Sequence, residues 1–369
     1  MYSLLRALLF RHDPETAHQF TLQLLRIGGI EPIRSILRTM YSVPSKPVQA
    51  FGLTFKNPIG LAAGYDKNAV AIKGLSASGF SHVEVGTVTP KPQPGNPRPR
   101  VFRLLEDEAV INRMGFPSRG IESVSMSLRG ALKGRRGNLP ATRGLLPEGR
   151  HDMIIGVNLG KNKDTPLDNA AEDYVSLMKT FTPLADYLTI NISSPNTVGL
   201  RRLQGREMLE QLLSAIQKER EISLTPNPPS ALLKDASRSP TGRGGRVPIL
   251  VKISPDLNDE ELDDVIGVIL DKGMDGIIAT NTTLGRERLK SKNRNESGGL
   301  SGSPLRVRSE TVLRQVVKRV HGKIPIISVG GIMNADDAKR RLGMGANLIQ
   351  LYTGLVYRGP GLVKRILEQ

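Results

Sequence analysis

The chain has 369 residues and a formal net charge of +17, long enough for one large domain with an appendage and basic enough to raise the question of a nucleic-acid partner. Its basic residues are dispersed, however, and the two densest clusters fall in Pro/Gly-rich stretches at 129–150 and 224–246 that read as surface insertions, so no nucleic acid is expected as a partner. The absence of cysteine excludes disulfides, zinc–thiolate centres, iron–sulfur clusters held by this chain and any cysteine nucleophile. Five scattered histidines give no pattern for a metal site.

The first 45 residues are helical in pattern. In "RHDPETAHQF", Asp13 is placed to cap a helix with Pro14 at its first position, and Gly28 and Gly29 end the run. In "EPIRSILRTM", Ile33, Ile36, Leu37 and Met40 recur at helical spacing, with Arg34 and Arg38 on another face. Such helices can dock on the protein's own core or lie on an anionic membrane surface. No stretch is long and apolar enough to span a bilayer, and "MYSLLRALLFRHDPE" lacks a signal-peptide cleavage pattern. "VPSKPVQAFGLTF" reads as a linker and an entry hairpin.

From Asn57 the rhythm changes. Eight short apolar runs alternate with longer segments: 58–64, 82–87, 153–160, 187–193, 248–254, 276–281, 325–331 and 348–353. Continuous β-rich runs separated by crossover-length gaps are the pattern of buried parallel strands. The α/β class follows, with a (β/α)8 TIM barrel carrying a small N-terminal helical extension as the expected architecture and an open doubly wound sheet as the alternative. The expected division is 1–45 for the helical segment and 46–369 for the barrel.

Each run ends in polar or glycine residues: Gly64, Asp66 and Lys67; Thr87; Asn158; Asn191 and Ser194; Lys252; Thr280, Asn281 and Thr282; Gly330 and Gly331; Tyr352 and Thr353. In a parallel barrel these ends share one face, the face that carries active sites. Amides and hydroxyls dominate it, with two lysines and few carboxylates. Such a surface suits a heterocycle rich in N–H and C=O groups that bears negative charge. Glycines in "GGLSG" (298–302) and "SVGGI" (328–332) suggest a phosphate held by backbone N–H groups. A phosphorylated polycyclic ligand without a metal suggests flavin mononucleotide, with Lys252 as a fixed cation beside its ring.

The blocks "NPIGLAAGYDKN", "VEVGTVTPKPQPGNPRPRVFRL", "INRMGF", "GVNLGKN", "NISSPNT", "VKISPD", "ATNTT", "GGLSGSPL", "SVGGI" and "LYTGLVYRGP" together resemble the dihydroorotate dehydrogenases, in their class 2, quinone-dependent form. The resemblance implies oxidation of (S)-dihydroorotate to orotate in pyrimidine synthesis. FMN would be the cofactor and a membrane quinone the electron acceptor, and the absence of a transit-type presequence makes the cytoplasmic face of a bacterial inner membrane the expected location. It implies FMN at Ala63, Gly64, Tyr65, Asp66, Lys67, Thr87, Asn158, Asn191, Lys252 and Thr280, with the phosphate at Gly302, Gly331, Tyr352 and Thr353. It implies substrate at Lys67, Asn112, Arg113, Met114, Gly115, Phe116, Asn191, Asn196, Asn281 and Thr282. Ser194 takes the place of the catalytic base, and His18, Arg103 and Tyr352 fall in the quinone tunnel. Class 1 relatives use a cysteine base, which this chain cannot supply, and no iron–sulfur partner subunit is expected. Tyr65 departs from the pattern, standing where another hydrophobic residue is usual.

Overall fold

The computed structural model describes residues 2–132, 153–224 and 246–369. Three helices come first: α1 (Tyr2–Leu9), α2 (Pro14–Ile27) and α3 (Ile33–Met40). Asp13 caps α2 as its position implies, its Oδ1 accepting from the N–H groups of Glu15 (3.1 Å) and Thr16 (2.9 Å). A hairpin follows, β1 (Val48–Ala50) and β2 (Leu53–Phe55), paired antiparallel.

All eight predicted strands form. In chain order the barrel begins with β3 (Ile59–Leu61), α4 (Ile72–Ser76) and β4 (His82–Val88). A hairpin of β5 (Val101–Leu104) and β6 (Ala109–Asn112) then precedes α5 (Gly120–Leu132), β7 (Ile154–Leu159), α6 (Ala170–Phe181) and β8 (Tyr187–Asn191). Next come α7 (Arg206–Leu224), β9 (Ile249–Ile253), α8 (Asp259–Asp271), β10 (Gly276–Ala279) and β11 (Gly299–Gly302). The chain finishes with α9 (Arg306–Val320), β12 (Ile326–Val329), α10 (Ala335–Gly343), β13 (Leu348–Leu351), α11 (Thr353–Arg358) and α12 (Leu362–Glu368). Strands β3, β4, β7, β8, β9, β10, β12 and β13 pair in parallel, and β13 closes on β3. Closure rules out the open-sheet alternative.

Alternation along the strands creates two cores. Outward residues such as Val83, Val85, Val157, Ile190 and Val251 pack under the helices. Inward residues such as Tyr187, Leu250, Ile278, Ile327 and Leu348 fill the barrel, which the β1–β2 hairpin plugs from below with Leu53 and Phe55. Burial of each such side chain contributes about 1.5–3 kcal/mol. Space inside is made by absent side chains: a Cβ at Gly156 would lie 2.1 Å from the Tyr187 ring, and one at Gly60 would lie 2.0 Å from His82 Nε2.

The insertion boundaries need correction. Residues 129–132 are the last turn of α5, and α7 continues to Leu224. Helical side-chain spacing in "SLRGAL" continues past the point where glycine and arginine begin to accumulate. The remainder of both insertions, 133–152 and 225–245, lies outside the described residues. A second feature had no local signal: β11 pairs with β6 to make a three-stranded antiparallel sheet over the barrel mouth, joining segments nearly 190 positions apart (Asn112 opposite Gly299).

Candidate active site

One cavity of about 480 Å³ runs from the barrel mouth outward between the N-terminal helices. At the mouth it is lined by Ser194, Asn191, Lys252, Thr280, Asn281 and Thr282 from the ends of β8, β9 and β10, and by Thr87 from β4. Ala63, Gly64, Tyr65 and Lys67 line it after β3, and Asn112, Met114, Gly115 and Phe116 after β6. Asn196 comes from the loop after β8. Gly302, Gly331, Tyr352 and Thr353 form its wall beside β11, β12 and β13. His18 and Arg103 line the outer part with Leu5, Leu9, Leu24, Leu25 and Leu37.

Three predicted residues lie off this surface. The Asp66 carboxylate turns into its own loop, accepting from the N–H groups of Val70 (2.9 Å) and Ala71 (2.8 Å). Asn158 stands one layer below, accepting from the Thr87 hydroxyl (2.6 Å) and the Asn191 amide (3.0 Å). Arg113 points outward, where its guanidinium pairs with Glu296 at 2.5 Å and covers the Phe102 ring. Their side chains shape the site from behind.

The segment "NISSPN" divides into distinct roles. Asn191 Oδ1 accepts from the Ser193 hydroxyl (3.2 Å), and Ser193 Oγ accepts from the Asn281 amide (3.0 Å). Ser193 is thus consumed inside the wall. Ser194 is buried but faces the cavity, and its Oγ accepts from the N–H of Asn196 (3.2 Å), a serine turn that fixes its rotamer. Asn196 donates to Asn112 Oδ1 (3.0 Å), tying this loop to the β6 strand. Arg201 braces the assembly from outside, donating to the carbonyls of Ser193 (3.2 Å) and Thr282 (3.0 Å) while pairing with Asp256 at 2.9 Å.

Burial lowers the proton affinity of the cations. Lys67 is pushed down to about 8, and its ammonium donates to the Gly64 carbonyl. Lys252 is also shifted down by burial, with the Glu84 carboxylate acting in the opposite direction. His18 is pushed down to about 4 by burial, so it is neutral at physiological pH. Its Nε2–H donates to the Tyr65 carbonyl (2.8 Å), which leaves Nδ1 with its lone pair. The Tyr65 ring stands edge-on to both His18 (4.9 Å) and Tyr352 (5.8 Å).

The comparisons with known proteins agree with this architecture. Residues 46–369 match the family model for dihydroorotate dehydrogenase. A dihydroorotate dehydrogenase (quinone) of Azotobacter vinelandii is 44% identical over the whole of this chain and 96% of the relative. The crystal structure of DHODH from Eimeria tenella in complex with ferulenol superposes with a TM-score of 0.83 at 41% identity, covering 96% of this chain and 90% of that one. A relative of the same name from Roseiflexus is 44% identical over the whole chain and 92% of its own length. The chain belongs to the dihydroorotate dehydrogenase family, in its quinone-dependent class.

Sequence reasoning missed several groups around this family's site. Glu84 sits inside the barrel on β4, and its signal was present: a lone acid within the buried run "HVEVGT". Gln350 on β13 and Tyr187 on β8 contact it at 3.0 and 3.2 Å. Glu15 on α2 is buried against Arg100 (2.6 Å), a pairing no local pattern could show.

Proposed function

We propose that the protein oxidises (S)-dihydroorotate to orotate with FMN as its cofactor and passes the electrons to a membrane quinone, in the de novo synthesis of pyrimidines (UMP). The observation that carries this reading is the continuity of the cavity, from an amide and hydroxyl cluster at the barrel mouth to an apolar passage between α1 and α2. The residues fit FMN. Lys252 is a buried ammonium with no hydrogen-bond partner among the described residues, so it can serve an acceptor on a ring. The wall at Gly302 and Gly331 is bare because a Cβ would lie 2.3 Å from the Glu108 carbonyl oxygen or 2.4 Å from the Arg306 Cα. At Gly331 φ is +73°, a conformation open chiefly to glycine.

Ala63, Gly64, Tyr65, Lys67, Thr87, Asn191, Lys252 and Thr280 hold the flavin ring system, while Gly302, Gly331, Tyr352 and Thr353 receive the phosphate. When bound, FMN supplies a two-electron acceptor at N5 for the hydride on C6 of the substrate. Lys67, Asn112, Asn191, Asn196, Asn281 and Thr282 hold dihydroorotate, together with the Met114–Phe116 loop. Ser194 removes the C5 proton, which the adjacent C4 carbonyl acidifies. A serine hydroxyl is a weak base at its ordinary pKa, so fixed donors must stabilise the charge that develops on the ring. The amides and Lys67 provide them without reorganising, because their neighbours already hold them.

Residues 1–45 form the acceptor passage and the membrane-docking segment of a barrel spanning 46–369, with His18, Arg103 and Tyr352 on the quinone path. Ten of the sixteen exposed large apolar side chains among the described residues lie in this segment, a density that favours a lipid surface over water. Leu4 is 78% exposed, and Ile30 and Ile36 are also out in solvent. Arg26, Arg34 and Arg38 lie among these residues and suit anionic lipid headgroups. No described helix is long and apolar enough to cross a membrane. The exposed apolar side chains and their basic neighbours support a peripheral position on a membrane, which we place on the cytoplasmic face of a bacterial inner membrane.

The test is anaerobic mixing of flavin-loaded protein with dihydroorotate, then with a quinone. Dihydroorotate should bleach the flavin absorbance and the quinone should restore it. Flavin that stays oxidised under dihydroorotate would overturn the reading.

A further inference from the structure

Below the mouth, the barrel interior holds a carboxylate that the chemistry above does not use. Glu84 is 0% exposed. Three donors converge on it: Asn158 Nδ2 at 2.7 Å, Gln350 Nε2 at 3.0 Å and the Tyr187 hydroxyl at 3.2 Å. All three are neutral. Neutral donors satisfy its lone pairs but bring no net charge, so a cation sharing its low-dielectric surroundings would favour the anion further. The inward face of β9 supplies such a cation: Lys252 stands two residues beyond the barrel-filling Leu250 and is itself buried, and the Glu84 carboxylate opposes the effect of that burial on it. The other titratable groups facing Glu84 stay neutral: Tyr187 is shifted far up by burial and by the carboxylate itself, and His82 is pushed down to about 3 by burial.

Glu84 also dictates direction. An ionised carboxylate only accepts hydrogen bonds, so the NH2 of Asn158 must face it and Asn158 Oδ1 must face the mouth. There Oδ1 receives the Thr87 hydroxyl and the Asn191 amide. Asn191 Oδ1 is thereby turned toward Ser193 (3.2 Å) and the Asn281 amide (3.4 Å). Each amide orientation in the wall follows from the one below it, and the series starts at Glu84.

We propose that Glu84 is a positioning residue of the site: its carboxylate is the counter-charge that keeps Lys252 a fixed cation under the mouth, and it sets the orientation of the amides from Asn158 to Asn281. The inference rests on the reading of the mouth as the flavin site only for its first test.

Glu84→Gln separates charge from hydrogen bonding. The new amide can still accept from Asn158, and Gln350, whose Oε1 has no partner, can turn to receive the new N–H. The midpoint potential of the bound flavin is then followed from neutral to alkaline pH. Where Lys252 remains protonated, an unopposed cation raises the potential above wild type. Once Lys252 loses its proton, the potential falls below wild type. The difference therefore changes sign with pH, and Glu84→Gln/Lys252→Met removes the break. A variant curve parallel to wild type at every pH would overturn the pairing.

The second test uses flavin-free protein. In Lys252→Met the stranded carboxylate should take up a proton, giving a carboxylic-acid infrared band absent from wild type and from the double variant. No such band would also overturn the pairing. A wild-type protein that never takes up flavin would count against the proposed function, while the infrared result would still decide the role of Glu84.

Discussion

The barrel mouth and the N-terminal passage belong to one cavity but are built on opposite rules. At the mouth nearly every polar group is held by another: Thr87, Asn158, Asn191, Ser193 and Asn281 form a single connected set. In the passage, α1 and α3 bury no residue completely, and α2 buries only Glu15 and Ala17. That segment is fastened at its rim instead. Glu15 pairs with Arg100 and Arg98, Arg103 donates to the carbonyls of Phe10 (3.3 Å) and His12 (2.9 Å), and Tyr2 donates to the Val356 carbonyl (2.6 Å). On the proposed function, the difference reflects two tasks that need different mechanics. Proton removal needs dipoles that do not move, whereas admission of an apolar acceptor needs greasy surface on a lightly held element.

The sharpest way to break this contrast is Ser194→Ala. Positioned acid–base groups contribute about 10²–10⁴-fold, so turnover should fall by that amount while the flavin stays bound, read as steady-state rate against flavin absorbance. Activity within a few-fold of wild type would overturn the proposed role of Ser194 as base. Glu15→Ala probes the other region. Breaking one partner of a buried ion pair costs about 3 kcal/mol, since Arg100 is left uncompensated. Hydrogen exchange should then speed up in residues 2–40 with little change in the barrel strands; uniform loss of protection would mean the two regions fold as one unit.

Two smaller effects sharpen the comparison. Lys67, with its proton affinity near 8, is charged at neutral pH and loses its charge as pH rises. Affinity for the orotate anion should therefore hold below that value and fall about tenfold per pH unit above it, because binding then requires proton uptake. Titration of the holoenzyme by flavin absorbance measures this, and Lys67→Met should flatten the curve. Tyr65→Phe removes a buried phenol whose hydroxyl makes no hydrogen bond among the described residues. If the passage uses that hydroxyl toward a quinone carbonyl, the KM for quinone rises about 2–10-fold, the worth of one net hydrogen bond of about 0.5–1.5 kcal/mol. The KM for dihydroorotate should not move; a change there instead would place Tyr65 with the mouth.

The sequence by itself determined the barrel and most of the polar face at its mouth. Buried parallel strands are written as short apolar runs, and the polar residues that close them fall on one face whatever the details of packing. That is why Asn191, Ser194, Lys252 and Asn281 could be singled out before any geometry, and why Asp13 and Pro14 marked the start of a helix. Only tertiary structure decided which polar groups face the cavity. Asp66, Asn158 and Arg113 share its neighbourhood but turn to Val70, Thr87 and Glu296. Pairings such as Glu15 with Arg100, β6 with β11, and Glu84 with donors from three other strands join positions from 74 to 266 residues apart. Local periodicity carries the direction of a side chain within its own strand or helix. What that side chain meets depends on how the barrel closes, because closure alone brings those distant strands into one interior.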